Sequence, residues 1–240
     1  MKTMQPNDKA DQQRGRGLAG VIESKKIRRQ NYNDYRRFIQ HQYDGFAGKL
    51  TGLTGMMTGH ATLAGRLFSP RNFDIRHCKR ILDAACGDGR YTRILLKRAD
   101  PAAFITSFDL SHRMLVRACR RLPARRVSHV AADITRLPYP DGFFDAIVCG
   151  WVLEHLPDPR LGLRELARVL QPKGKMLLMV TEDTLTGSMS SRMWHCRTYN
   201  RFEMARVCQE CGLRWERPLW FSSLHRLFRL GGIIAELHRD

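Results

Sequence analysis

Short apolar runs alternate along the chain with stretches in which apolar residues recur every three or four positions. The runs are Ile81 to Ala85, Ala103 to Phe108, Val127 to Ala131, Phe143 to Cys149 and Lys175 to Val180. Between them, Tyr91 to Lys97, Arg113 to Leu122 and Pro159 to Leu170 have helical spacing, and Ser111 stands where a helix N-cap is expected. Strands that alternate with helices at this interval predict a parallel sheet covered by helices on both faces. Further on, the pattern predicts a helix from Asn200 to Cys211 and strands at Leu213 to Phe221 and Gly232 to His238, which brings the strands to seven. The Ser- and Met-rich stretch from Glu182 to Arg197 reads as a connection, and Ser222 to Leu230 as a small basic and apolar patch. The expected fold is α/β, a doubly wound, mostly parallel seven-stranded sheet with an N-terminal helical cap.

The chain before that sheet is of a different kind. Residues 1–20 carry almost no large apolar side chain before Leu18 and are expected to form a disordered tail. From there to residue 75 we expect a basic helical cap, in which Ile27, Tyr32, Tyr35, Phe38, Ile39, Tyr43 and Phe46 make one stripe among Lys25, Lys26, Arg28, Arg29, Arg36 and Arg37. Such a helix covers a site with its apolar side or lies on an anionic bilayer or nucleic acid, and the two roles are compatible. Six glycines between residues 45 and 65 lower helix propensity and point to a flexible lid. The main domain is expected over residues 76–240. The most apolar stretch, Phe46 to Phe68, is interrupted by Lys49, His60 and Arg66, so it does not qualify as a membrane span.

The chain has 240 residues, 41 of them basic and 23 acidic, for a net charge of +18. The excess is concentrated at the start, with 16 basic and 6 acidic side chains in residues 1–80, and it favours anionic partners. Seven cysteines without a regular framework, and a polar start without a leader, lead us to expect reduced thiols in the cytoplasm, with peripheral attachment to the inner membrane face as an option.

Chemistry concentrates where three of the strands end. Asp83-Ala84-Ala85-Cys86-Gly87-Asp88-Gly89 follows the first strand, Asp109 closes the second, and Asp133-Ile134 follows the third. Ligands of doubly wound sheets bind at such strand ends, and a carboxylate 20 residues beyond Gly89 is placed to accept from both ribose hydroxyls. A dinucleotide fingerprint is incomplete, because Thr92 occupies the third glycine position and Asp88 would repel a pyrophosphate.

The stretch Ile81 to Gly89 resembles the first motif of the Rossmann-like, class I S-adenosylmethionine-dependent methyltransferases. Phe108 to Leu115, Ala132 to Asp145, Trp151 to Pro159 and Arg168 to Lys175 are similar to that family's later motifs, in the same order. The resemblance implies S-adenosylmethionine as cofactor. It places Asp83, Ala85, Gly87 and Gly89 around the methionine portion, Asp109 at the ribose, and Asp133 with the Ile134 backbone at the adenine, with Cys86, Leu110 and Cys149 as further contacts. The closing Gly231 to Arg239 and the segment Tyr43 to Ala47 resemble the ubiquinone/menaquinone-type and phospholipid methyltransferase branches, which implies a small lipid-like or quinone-like acceptor and an in-line methyl transfer.

No metal is expected for that reaction. His155, just after the fourth strand, is the first candidate for a base, with a purely structural role as its alternative; Tyr43 is a candidate for positioning the acceptor, and His60 and His195 rank below them. Asp145 is expected to be structural. Cys208 and Cys211 lack the second cysteine pair that a zinc site needs. Two rivals remain. RNA methylation is motivated by the charge, but no aromatic RNA-binding module is present and Cys149-Gly150-Trp151 stands where an Asn-Pro-Pro-Tyr-type motif would be. The other rival is an inactive binding protein, against which the three intact acids count.

Overall fold

The computed structural model describes residues 60–122 and 125–240, together with Arg36, Arg37 and Gln40. The expected tail, Tyr43 and most of the basic cap lie outside the described residues.

The elements follow in the order α1 (His60–Leu67), β1 (Arg80–Ala84), α2 (Arg90–Arg98), β2 (Phe104–Asp109), α3 (His112–Arg121), β3 (Val127–Ala131) and β4 (Phe144–Gly150). After a 3-10 turn at Leu153–His155 come α4 (Pro159–Val169), β5 (Leu170–Val180), α5 (Leu185–Trp194), α6 (Arg201–Glu210), β6 (Leu213–Pro218), α7 (Ser223–Leu227) and β7 (Ile233–Arg239). They build one seven-stranded sheet in the order β3-β2-β1-β4-β5-β7-β6, with β7 antiparallel to both neighbours and all other pairs parallel. Strand order reverses between β1 and β4, and the crevice of a doubly wound sheet opens at that point.

Period-two alternation sorts the central strands onto two cores. Leu82, Ile147, Cys149, Leu178 and Val180 face one layer with Leu163 and Leu166 of α4 and Met204 and Val207 of α6. Ile81, Val148, Leu177 and Met179 face the other, with Tyr91 and Leu95 of α2 and Phe73 and Ile75 of the preceding segment. Burial on both faces explains why these strands read as continuous apolar runs. The edge strand β3 is only half-buried, and its sequence is correspondingly mixed.

Local signals set the helix starts. The Ser111 hydroxyl accepts from Met114 N at 3.2 Å, as expected, and the Asp158 side chain accepts from Arg160 N, with Pro159 at the first helical position. Three expectations need correction. Glu182 to Arg197 is largely the helix α5, capped by Thr184, because small residues let it pack closely despite a weak helical pattern. The strand expected from Lys175 begins at Leu170, where an irregular register with Phe144 extends it. The end of the glycine-rich stretch, from His60, is the helix α1, whose Ala64 and Leu67 join the core beside Phe68 and Phe73, so tertiary packing overrides propensity.

The loop from Leu137 to Asp141, which supports the end of β3, is clamped from α4. The Arg168 guanidinium donates to Leu137 O at 3.1 Å, Tyr139 O at 2.8 Å and Asp141 Oδ1 at 2.8 Å, while Glu165 Oε1 accepts from Leu137 N at 2.6 Å. Asp145 accepts from Lys79 N and Arg80 N at 2.7 and 3.0 Å, tying β4 to the start of β1. Arg168→Ala leaves two loop carbonyls without their donor and is expected to cost about 2 kcal/mol, a fall in Tm of about 4–8 °C. Calorimetry with the exposed Arg164→Ala as control checks this, and an equal Tm in the two variants would contradict the clamp.

Candidate active site

The turn after β1 is shaped for close approach to a ligand. Ala85 and Gly87 both have φ of 55°, and Gly89, at φ 85°, caps the N-terminus of α2. A Cβ on Gly89 would lie 2.7 Å from Leu122 Cδ1 and 3.3 Å from Ala118 Cβ, so only glycine lets the turn sit against α3. Asp109 then joins this turn to the next: its Oδ2 accepts from Gly87 N and its Oδ1 from Ser111 N, each at 2.8 Å. The carboxylate also lines the cleft, where its acceptor oxygens suit hydroxyl donors.

The third acid is held differently. Asp133 Oδ1 accepts from Thr135 N and Oγ1 at 3.0 and 2.8 Å, and Arg36 Nε lies 3.5 Å from Oδ2. Gln40, four residues after Arg36, donates from Nε2 to Leu110 O at 3.2 Å. These described residues of the cap thus lie over the ends of β2 and β3.

The cleft has a volume of about 540 Å³ and continues from these acids toward the ends of β4 and β5. Trp151, held in the left-handed region at φ 61°, donates from Nε1 to Tyr91 Oη at 3.0 Å. Glu154 Oε1 accepts from Thr181 Oγ1 at 2.9 Å, whereas its Oε2 is buried without a hydrogen-bond partner. Burial pushes the Glu154 carboxyl up to about 7 and drives the neighbouring His155 imidazole down to about 4. Glu182, buried beside them, is neutralised by Arg201 at 3.1 Å and Arg229 at 2.6 Å.

Ala85, Cys86, Gly87, Asp109, Leu110, Asp133, Ile134 and His155 therefore meet around one space, as the sequence led us to expect. Asp83, Gly89 and Cys149 do not line it. Asp83 shares the strand face of Ile81 and turns to α2, where Thr92 Oγ1 donates to its Oδ2 at 2.5 Å. Gly89 backs onto α3, and Cys149 belongs to the core on the opposite face. Tyr43 is outside the described residues; His195 is the C-cap of α5 and is not in the cleft wall. Sequence reasoning missed Tyr91, Trp151, Glu154 and Thr181, although the position of Glu154, beside His155 after the fourth strand, was a usable signal. Among the described residues no group of three or more His, Cys, Asp or Glu side chains could hold a metal ion, and Cys208 and Cys211 are buried free thiols.

Comparison with known proteins agrees with this geometry. Residues 82–178 match the family model described as a methyltransferase domain. A demethylmenaquinone methyltransferase of Clavibacter sepedonicus is 41% identical over 181 residues, covering 67% of this chain and 72% of that protein. One from Geobacillus sp. (strain WCH70) is 23% identical over 87% of this chain and 89% of its own. In fold, a SAM-dependent methyltransferase structure from Leishmania major superposes with a TM-score of 0.63 over 86% of this chain and 81% of its own, at 18% identity.

Burial of Asp83 gives a pH signature. Its carboxyl is raised by desolvation from the ordinary 3.8 to about 7, so the unfolded chain releases this proton at lower pH than the folded one. Stability should therefore fall as pH rises from about 4 to about 7 and then level off, with Glu154 acting in the same direction. In urea titrations at pH 5 and pH 8, Asp83→Asn is expected to lose about 1–3 kcal/mol less between the two than the parent does. An equal loss would contradict a buried, proton-retaining Asp83.

Proposed function

This chain belongs to the class I S-adenosylmethionine-dependent methyltransferases, and from that premise we propose that its acceptor is a reduced quinone or a closely related hydroxylated aromatic, methylated on a ring carbon. S-adenosylmethionine is the family's cofactor and, when bound, supplies a methyl group activated by a positively charged sulfur. The cradle fits it: Asp109 would take the ribose hydroxyls, the Ile134 backbone and Asp133 would take the adenine edge, and the turn from Ala85 to Gly87 would flank the methionine portion.

The observation that carries the acceptor reading is the buried Glu154 Oε2 without a hydrogen-bond partner, on a residue of the wall of a cleft that Trp151, Leu156, Trp194 and Leu230 also line. Aromatic walls take a planar ring, and a lone buried carboxylate oxygen calls for a hydroxyl donor. In the proposed step the acceptor hydroxyl passes its proton to Glu154 Oε2. Electron density then rises at the adjacent ring carbon, which receives the methyl group; that carbon's own proton passes to water as Glu154 returns the first proton to the ring oxygen and aromaticity is restored, for a net release of one proton. A carboxyl poised near 7 can accept and return a proton at neutral pH, whereas an imidazole lowered to about 4 is a much weaker base, so we assign this transfer to Glu154 over His155. The demethylmenaquinone methyltransferase relatives are consistent with such an acceptor. The net charge of +18 remains the sole feature favouring RNA.

Two measurements test the two ends of the cleft. By calorimetry, Asp109→Ala is expected to weaken S-adenosylmethionine binding by about 10- to 150-fold, and unchanged affinity would exclude the carboxylate from the cofactor site. With a reduced demethylated naphthoquinone as acceptor, Glu154→Gln is expected to lower kcat by about 100-fold or more while cofactor affinity stays within about twofold. A Gln variant as fast as the parent would remove Glu154 from proton transfer.

A further inference from the structure

The outer end of the cleft is bordered by two helices whose amphipathicity is inverted. In α5 the buried positions are Gly187, Ser188 and Ser191, while Leu185, Met189 and Met193, spaced by four, form one stripe facing solvent. In α7 and its C-cap, Leu224, Leu227 and Phe228 do the same. These six side chains are between 59% and 72% exposed. Isolated exposed apolar residues are ordinary, but two sets on segments that line one cleft are not.

Glu182 touches both segments. A Cβ on Gly187 would fall 1.9 Å from Glu182 O, so α5 rests directly on that backbone. The Glu182 carboxylate meanwhile pairs with Arg229, immediately after α7. Ser190 and Trp194 from the first helix, and His225 and Leu230 from the second segment, line the cleft mouth. Of the arginines near the exposed stripes, Arg192 and Arg226 are exposed, Arg197 donates to Pro157 O and Arg229 pairs with Glu182, and the exposed acid Asp183 stands just before α5.

From this juxtaposition we propose that the surface formed by α5 and α7 docks on an anionic lipid bilayer, with Met189, Met193, Leu227 and Phe228 entering the headgroup boundary and Arg192 and Arg226 at lipid phosphates. Large exposed apolar side chains beside exposed arginines that outnumber the neighbouring exposed acid match an interfacial surface. No helix among the described residues is long and apolar enough to cross a membrane, so the docking is lateral. Its use rests on the proposed acceptor: a ring with an apolar tail would pass from bilayer to cleft without exposing the tail to water.

Flotation of the full chain with phosphatidylglycerol–phosphatidylcholine vesicles tests the surface without any methyl acceptor. The parent is expected to bind these vesicles, to bind less as salt rises, and to prefer them to pure phosphatidylcholine. The triple variant Met189→Glu, Leu227→Glu, Phe228→Glu changes exposed positions alone and should keep the parent's Tm, yet bind about tenfold more weakly or worse. The same drop is expected in a background in which Lys25, Lys26, Arg28 and Arg29 are neutralised, which separates this surface from the basic N-terminal segment. Equal vesicle binding by triple variant and parent, absence of vesicle binding by the parent, or a parent dimer that the triple variant dissolves would each overturn the proposal. Vesicle docking without transfer to a reduced naphthoquinone would defeat the acceptor reading alone; transfer to a short-chain soluble quinol without vesicle docking would defeat the docking alone.

Discussion

Two backbone amides, Gly87 N and Ser111 N, converge on one carboxylate, and the cofactor end of the molecule depends on that meeting. Asp109 closes β2 and accepts from the turn that follows β1, so two adjacent strands present their ends as one surface. The geometry is available because β1 and β2 are parallel neighbours, with Ala84 opposite Phe108. It also needs the turn to lie flat against α3, which Gly89 permits and a side chain would prevent. The reversal of strand order beside β1 then leaves open the space that the carboxylate lines.

The other end of the cleft is organised by two buried glutamates in opposite states. Glu182 is fully compensated, with an arginine on each oxygen, and acts as a fixed point on which α5 and the segment after α7 converge. Glu154 has one donor, Thr181, and an oxygen left over. A buried carboxylate oxygen without a partner is costly, and its persistence in a cleft wall is understandable if a bound molecule completes it. The first glutamate thus builds the wall and the second addresses what the wall encloses.

How much of this was legible in the sequence follows from how local each determinant is. The parallel core was readable because strands buried on both faces leave continuous apolar runs, and because Ser111 and Asp158 cap helices in their own neighbourhood. The three strand-end acids were readable by spacing, since each closes a strand. Which of the neighbouring residues face the cleft was not: Asp83 and Cys149 sit at the right strand ends but on faces turned to α2 and to the opposite core. The helix α5 was hidden because its stability comes from small residues against Glu182, a contact that leaves no hydrophobic period, and its apolar stripe points outward. Glu154 lay beside the histidine that drew attention, and a burial-driven change in the basicity of both residues cannot be read from residue types alone.

The central claim is that one continuous cleft joins a nucleoside-binding end at Asp109 to an acceptor end at Glu154 that takes a hydroxylated, tailed aromatic. The most direct test incubates the purified chain with S-adenosylmethionine labelled on its methyl group and a reduced cell extract, then separates lipid-soluble, RNA and protein fractions. The account predicts label in the lipid-soluble fraction, in a quinone and on a ring carbon. Label confined to RNA, or to the headgroup of a phospholipid, would contradict it.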